Sequence, residues 1–509
     1  MLNREYTGFY IDGRWQTAKS EEKFEVFSPT TGEKIGHVPA ATNAEIDTAV
    51  EAARRAFHES DWARRPIAER AAMCRRLAVL ISERRKEFAE LIIDELACDR
   101  PTAEYYQALA PSLLLNYYAD LGERYSFATL HSSDPTQYGG ADLGSMYAGQ
   151  HLLVKEPVGV VATIFAYNFP FPSFGQKVAG ALIAGCTVIV KVPEPDPLAV
   201  FALGDLITEA GFPPGVVNII AAGPAASERL VGHKDVDLVS FTGSNAVGAK
   251  VGEICGRLVR PIVLELGGKS AGIVLRDADL EQAVRHLVIS SVGTMSGQNC
   301  ACISRILVPR EHYDEIASRL SEAISALEVG DPHEPSTQVG PLITEKHRDR
   351  VLALIESARQ EGAHIAVGGG VPVGHNRGWF VEPTLITNAT NEMRIAQEEV
   401  FGPVTVLIPY DDEADAIRIA NDSAYGLYGT VYTTNLNRGF EVARSIRTGS
   451  FSVNTSAVDF SAPFGGVKNS GYGREHGVAG FEGYLITKAI SIEPGMQLPE
   501  SLMTKGGPQ

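Results

Sequence analysis

The sequence predicts an α/β protein built on a doubly wound, mostly parallel sheet, with a second α/β domain after it. Three observations carry that reading. From Val158 onward, short apolar strand-like runs alternate with helical segments, and apolar strands covered on both faces belong to parallel sheets. A second alternating series occupies 271–453. The chain is long enough for two or three domains, at 509 residues with 44% hydrophobic and 21% charged.

Taken in order, Phe9–Trp15 and Phe24–Val38 read as short strands, turning at Asp12–Gly13 and Thr31–Gly32. Thr42 with Glu45 three residues later is a capping box that opens a helix to Phe57. Pro66 opens a longer helix through Leu96, and another is expected from Thr102 to Leu121. Ser126–Gln150, rich in Gly, Ser, Asp and Tyr, reads as a loop or hairpin arm. The first series then runs as strand 158–165, helix 171–184, strand 187–190, helix 198–210 and strand 216–220. It continues with helix 224–231, strand 238–241, helix 244–255 and strand 261–265. Tyr484–Ile492 reads as a final strand.

The formal net charge is −17, which repels nucleic acid and anionic membrane surfaces. Met1–Tyr10 has no apolar core of the signal-peptide kind. The longest uncharged apolar run, Val178–Val190, is too short to span a bilayer. Six cysteines are scattered without a framework of spacings, which predicts a reducing, cytoplasmic setting.

In an open α/β sheet, ligands sit at the carboxyl ends of the strands. Asn168, Lys191, Glu194, Gly243–Ser244 and Glu265 all fall there. The turn Phe241–Gly248 leads from a strand into a helix N-terminus suited to phosphate, although it is not GxGxxG. Glu194 can accept a hydrogen bond from an adenosine 2′-hydroxyl and would repel a 2′-phosphate, favouring NAD over NADP. Cys300 and Cys302 lie at a helix–strand junction, where a thiol needs activating neighbours to become a nucleophile. Other motifs fail on context. Gly268–Gly272 matches GxSxG but continues as strand rather than helix. The same Gly–Lys–Ser lacks the first glycine of a P-loop, and Cys–x–Cys without a nearby His makes no metal site.

Cys300 in Gly–Gln–Asn–Cys, Glu265 in Leu–Glu–Leu–Gly–Gly–Lys–Ser and Asn168 in Tyr–Asn–Phe–Pro together resemble the aldehyde dehydrogenase superfamily. Gly243–Ser244, Lys191–x–x–Glu194, Glu398–Pro403 and Pro463–Gly466 follow the same pattern in order, over nearly the whole chain. The resemblance implies a Rossmann-type dinucleotide-binding domain (1–125 and 151–266) and a catalytic domain (267–470). It also implies a small β oligomerisation arm and tail (126–150 and 471–500), in a homodimer or homotetramer.

It implies that Cys300 attacks an aldehyde, that Asn168 and the Cys300 N–H hold the oxyanion, and that Glu265 activates water on the thioester. Lys177 and Glu475 resemble proton-relay positions, with a structural ion pair as the alternative. Ile164, Ala166, Tyr167, Gly223 and Val247 would line the adenosine side of NAD and Leu266 the nicotinamide, with Phe241 a further cofactor-binding residue. Glu399 would hold the nicotinamide ribose, with Phe401 packed against it. Tyr167 stands where many members carry Trp. Cys302 is expected to be a packing residue. Phe169, Phe171, Thr294, Asn299, Ala301, Asp459 and Phe460 are expected to form the substrate tunnel, with room for a medium aliphatic or aromatic aldehyde. Two alternatives remain: acyl transfer to coenzyme A, which Glu265 argues against, and a non-catalytic binding protein on the same scaffold.

Overall fold

A computed structural model describes residues 2–132, 149–456 and 459–493. The larger sheet has five parallel strands in the order Val217–Ala221, Thr187–Val192, Val160–Ile164, Leu238–Thr242, Ile262–Glu265. Numbered along the chain this is 3-2-1-4-5, the doubly wound order. Its direction of winding reverses between Val160–Ile164 and Leu238–Thr242, which opens a crevice at their carboxyl ends. Antiparallel strands close both edges: Gly8–Ile11 with Arg14–Thr17 on one side, Gly471–Tyr472 on the other.

The second sheet runs His364–Val367, Thr384–Thr387, Val404–Tyr410, Ile303–Pro309, Ser270–Val274, Gly429–Tyr432, Ser452–Val453, parallel except at its first pair. Only Leu266 to Lys269 separate the carboxyl end of Ile262–Glu265 from the amino end of Ser270–Val274. The tip of one sheet therefore abuts the base of the other. Ser270 pairs with Ile303, so the segment leading into Ile303–Pro309 is delivered to the same junction.

The capping box forms as read: Glu45 accepts from the Thr42 N–H at 2.8 Å and opens the helix Asn43–His58. The expected helix from Pro66 to Leu96 is instead two, Ile67–Glu83 and Arg85–Leu96. No residue between Ile81 and Phe88 is buried, so nothing holds that charged run against the body and the chain changes direction there. The expected helix 102–121 becomes a wider π-type turn, Thr102–Gln107, followed by Ala110–Arg124. Pro111, lacking an N–H, belongs in the first turn of the new helix rather than inside a continuous one. Helix 171–184 carries a π-type segment at Phe174–Ala179, and 198–210 is two short helices.

A third, antiparallel sheet joins Leu485–Ile492, Gln150–Pro157 and Ala128–Ser132. Its middle strand crosses the boundary expected at 151, so this stretch pairs with the arm rather than with the larger sheet. Residues 471–484 differ from the expected tail too. Phe481 and Tyr484 are buried in the core of the first domain, and only 485–492 pair with the arm. Most of the expected arm, 133–148, and the tail beyond 493 lie outside the described residues. Among the described residues, no helix is long and apolar enough to cross a membrane.

Candidate active site

Two cavities meet at the junction of the sheets. The first, about 680 Å³, lies in the crevice at the winding reversal; the second, about 480 Å³, opens on the other side. Cys300, Asn168 and Thr242 line both.

Cys300 is half-buried in the turn before Ile303–Pro309. Close backbone approach fixes that turn: Gly268 lies against the Cys300 carbonyl, where any Cβ would collide, and Gly297 sits at φ +71° against Gly402. Asn168 donates its side-chain amide to the Gln298 carbonyl at 3.1 Å, and its own carbonyl accepts from Gln107 at 2.8 Å. The Gln298 side chain is itself held, accepting from the Ile343 N–H at 3.0 Å and the Tyr167 hydroxyl at 3.3 Å.

Glu265 ends its strand buried, with neither carboxylate oxygen hydrogen-bonded among the described residues. Burial raises its pKa well above the carboxylate range; the nearby Glu475 raises it further, while Lys177 and Arg474 oppose. The glycine pair after Phe464 makes space for it, since a Cβ at Gly465 would meet a Glu265 oxygen at 2.5 Å. Burial pushes the Cys300 thiol above its ordinary range, and the charges of Glu265, Glu399 and Glu475 add to that. Lys177, from the π-type segment, is fully buried in an ion pair with Glu475 and donates to the Ser240 hydroxyl at 3.1 Å.

The first cavity is walled by Ile164, Ala166, Tyr167, Lys191, Glu194, Phe241, Gly243, Ser244, Val247, Leu266, Glu399 and Phe401. Gly223 is not on its wall; it precedes the helix Pro224–Gly232, and the next residue, Pro224, lines the cavity instead. Ser244 caps the helix Asn245–Arg257, accepting from the Val247 N–H at 3.4 Å. The side-chain ammonium of the buried Lys191, whose pKa burial lowers, forms no hydrogen bond or ion pair among the described residues. A cationic side chain, an open helix N-terminus and a carboxylate along one apolar-walled crevice fit a dinucleotide.

Glu399 accepts from the Gly268 N–H at 2.8 Å, and burial moves its pKa to about 7. Its loop is clamped from the helix Glu345–Gln360: Arg350 donates to the carbonyls of Glu399 (2.7 Å) and Val400 (2.8 Å), while His347 lies 2.6 Å from the Phe401 carbonyl. Sequence reading missed this clamp, although the two residues share a helix face at i, i+3.

Of the expected tunnel residues, Phe169, Thr294, Asn299 and Ala301 line the second cavity. Three do not. Phe171 is fully buried with its ring 4.6 Å from that of Phe88, because the helix from Pro170 turns it inward. Asp459 is exposed and accepts from the Ser461 N–H, and Phe460 packs on Tyr106 and His476 behind the lining. Tyr106, Tyr428, Phe464 and His476 line the cavity and were missed. Cys302 is buried with its thiol donating to the Ser291 carbonyl at 3.0 Å, and it stands free beside an equally free Cys300.

The model of the aldehyde dehydrogenase family matches residues 15–490. Geranial dehydrogenase of Castellaniella defragrans is 39% identical over 483 residues, covering 95% of this chain and 98% of its own. Peroxisomal aminoaldehyde dehydrogenase 2 of Pisum sativum is 37% identical, covering 95% and 96%. The crystal structure of a Mycobacterium tuberculosis aldehyde dehydrogenase complexed with NAD+ superposes with a TM-score of 0.92 at 40% identity, covering 97% and 99%. Fold, paired cavities and relatives agree from end to end: the chain belongs to the aldehyde dehydrogenase family, enzymes that oxidise an aldehyde to the carboxylic acid with NAD.

Proposed function

We propose that Cys300 is the nucleophile, Asn168 the oxyanion donor and Glu265 the general base of this reaction. The observation that carries it is that Cys300 and Asn168 line both cavities, where a thiol can meet a carbonyl from one side and a hydride acceptor from the other. The Cys300 sulfur gives up its proton to water and, as thiolate, bonds to the aldehyde carbon. The carbonyl oxygen becomes an oxyanion held by the Asn168 amide and the Cys300 N–H. NAD, when bound, supplies a hydride acceptor at nicotinamide C4 and a positive ring charge that counters the three carboxylates around the thiol. Loss of hydride from the former aldehyde carbon leaves a thioester on Cys300. Glu265 takes a proton from water, the resulting hydroxide adds to the thioester, and the C–S bond breaks to release acid and thiolate.

Lys191 and Glu194 are read as holding the adenosine ribose, with Ser244 and its helix near the pyrophosphate. Glu399, Phe401 and Leu266 are read as holding the nicotinamide half. Lys177 and Glu475 set the charge seen by Glu265. The second cavity is read as the aldehyde tunnel. Among the described residues its lining holds no Arg or Lys, and it takes a medium aliphatic or aromatic aldehyde rather than a carboxylate-bearing one.

The three-stranded arm is read as an oligomer contact, because Ile486 and Ile490 are exposed on its edge strand, which has no further partner among the described residues. A cytoplasmic setting follows from the acidic composition and unpaired cysteines.

The test is NADH production across an aldehyde panel by wild type and Cys300→Ala. Turnover should vanish in the variant while NAD still raises its Tm. NADH formation by the variant at wild-type rate would remove Cys300 from the reaction.

A further inference from the structure

His476 follows Glu475 at the end of the second cavity's wall and is 2% exposed, yet neither ring nitrogen has a hydrogen-bond partner among the described residues. Buried polar groups are almost always satisfied, so an imidazole with two idle nitrogens beside a cavity points to something that satisfies it from the cavity. Its backbone adopts φ +60°, ψ 163°, a region that glycine occupies readily and other residues rarely do. The conformation is held from both sides. Glu475 and Phe464 exchange hydrogen bonds at 2.8 Å, and the Gly477 N–H donates to the Phe460 carbonyl at 3.1 Å. The chain thus keeps a bulky polar residue at a strained position in the tunnel wall, with both ring nitrogens beneath its surface.

Around the ring stand Phe460 at 5.3 Å, edge-on, and Phe464 at 5.8 Å, neither of which offers a hydrogen-bonding group. Burial lowers the His476 pKa to about 4, so at neutral pH the ring carries one N–H donor and one bare acceptor.

We propose that His476 is a specificity-determining residue of the tunnel, selecting aldehydes that carry an uncharged hydrogen-bonding group, a hydroxyl above all, at a fixed distance from the carbonyl. This deepens the reading of the second cavity as the aldehyde tunnel and rests on it. A hydroxyl both donates and accepts, so it matches a neutral imidazole in either tautomer. A pure hydrocarbon of the same shape leaves the buried nitrogens unsatisfied, and sites built around a hydrogen bond discriminate strongly against the analogue that lacks it.

The experiment uses the full-length enzyme with NAD and a series of ω-hydroxyalkanals of rising length. Each is paired with the alkanal that carries a methyl group in place of the hydroxyl. For wild type, the ratio of kcat/KM within a pair should peak at one length, favouring the hydroxyl by about 10-fold or more. His476→Leu should flatten the peak, and His476→Gln, which keeps a donor and an acceptor, should restore part of it. A wild-type ratio within about 2-fold at every length overturns the proposal whatever the variants do. A peak that persists in His476→Leu overturns it as well. No NADH from any member of either series would instead overturn the reading of the cavity as an aldehyde tunnel.

Discussion

Replacing Asn168 by Ala should slow thioester formation by about 10²–10³, or roughly 2.7–4 kcal/mol of barrier, the usual loss for one oxyanion donor. If Asn168 is the oxyanion donor proposed above, its geometry suits a full donor. Its nitrogen carries two hydrogens; one is committed at 3.1 Å to the Gln298 carbonyl, which orients the group and leaves the other to aim at developing charge. The Gln298 side chain is anchored by the Ile343 and Tyr167 contacts and by its own donation to the Met295 carbonyl at 3.2 Å. The donor is therefore positioned before substrate arrives and needs little reorganisation in the transition state. Asn168→Asp is nearly isosteric but sets an acceptor against both the Gln298 carbonyl and the oxyanion, so it should lose at least as much. The assay is the single-turnover rate of NADH formation, which isolates the first chemical step, with NAD affinity measured alongside. An Asn168→Ala enzyme within about fivefold of wild type in that rate, at unchanged NAD affinity, would refute the oxyanion role.

Glu265→Gln should give an initial burst of NADH and then stall at the thioester. As the proposed base, Glu265 would work as a carboxylate, and burial raises its pKa, so deacylation should be present at high pH. It falls as pH drops through a value above the ordinary carboxylate range. The variant should lose that acid limb, and steady wild-type turnover by it would exclude Glu265 as base. Lys177→Met leaves Glu475 buried without its cation and should cost about 3–5 kcal/mol in urea denaturation. Because Lys177 lowers the Glu265 pKa, the variant's deacylation limb should also move to higher pH; an unchanged limb would detach the pair from the base.

Much of this arrangement was legible because it is written locally. Thr42 and Glu45 form a box within one turn, Thr242 and Glu265 each end an apolar strand, and Lys191 lies one residue short of the end of its own, all at the carboxyl edge where ligands collect. Phe171 was misplaced despite a local signal: with Phe174 and Val178 it forms an i, i+3, i+7 stripe of fully buried residues, which marks a core face. Phe169, one residue before that helix, escapes the stripe and lines the second cavity. Other contributors carried no local signature. Gln107 reaches Asn168 across 61 residues, and Arg350 reaches Glu399 across 49. Such contacts are fixed by how separate elements pack, and no spacing in one segment reports them. His476 shows the same limit from the other side, since nothing near it in the chain says its nitrogens lack partners.

The four-residue bridge from Leu266 to Lys269 divides labour in an unusual way. The base closes the last strand of one sheet, and the sulfur hangs at the foot of the other, so their separation is a property of how two bodies seat together. Catalysis in this chain is consequently sensitive to rocking: a shift of about 1 Å between the bodies can cost about 10²-fold in rate without disturbing a single side chain in either. Substitutions at that seam, among them at the glycines pressed against Cys300 and Glu399, should be felt in turnover before they are felt in melting.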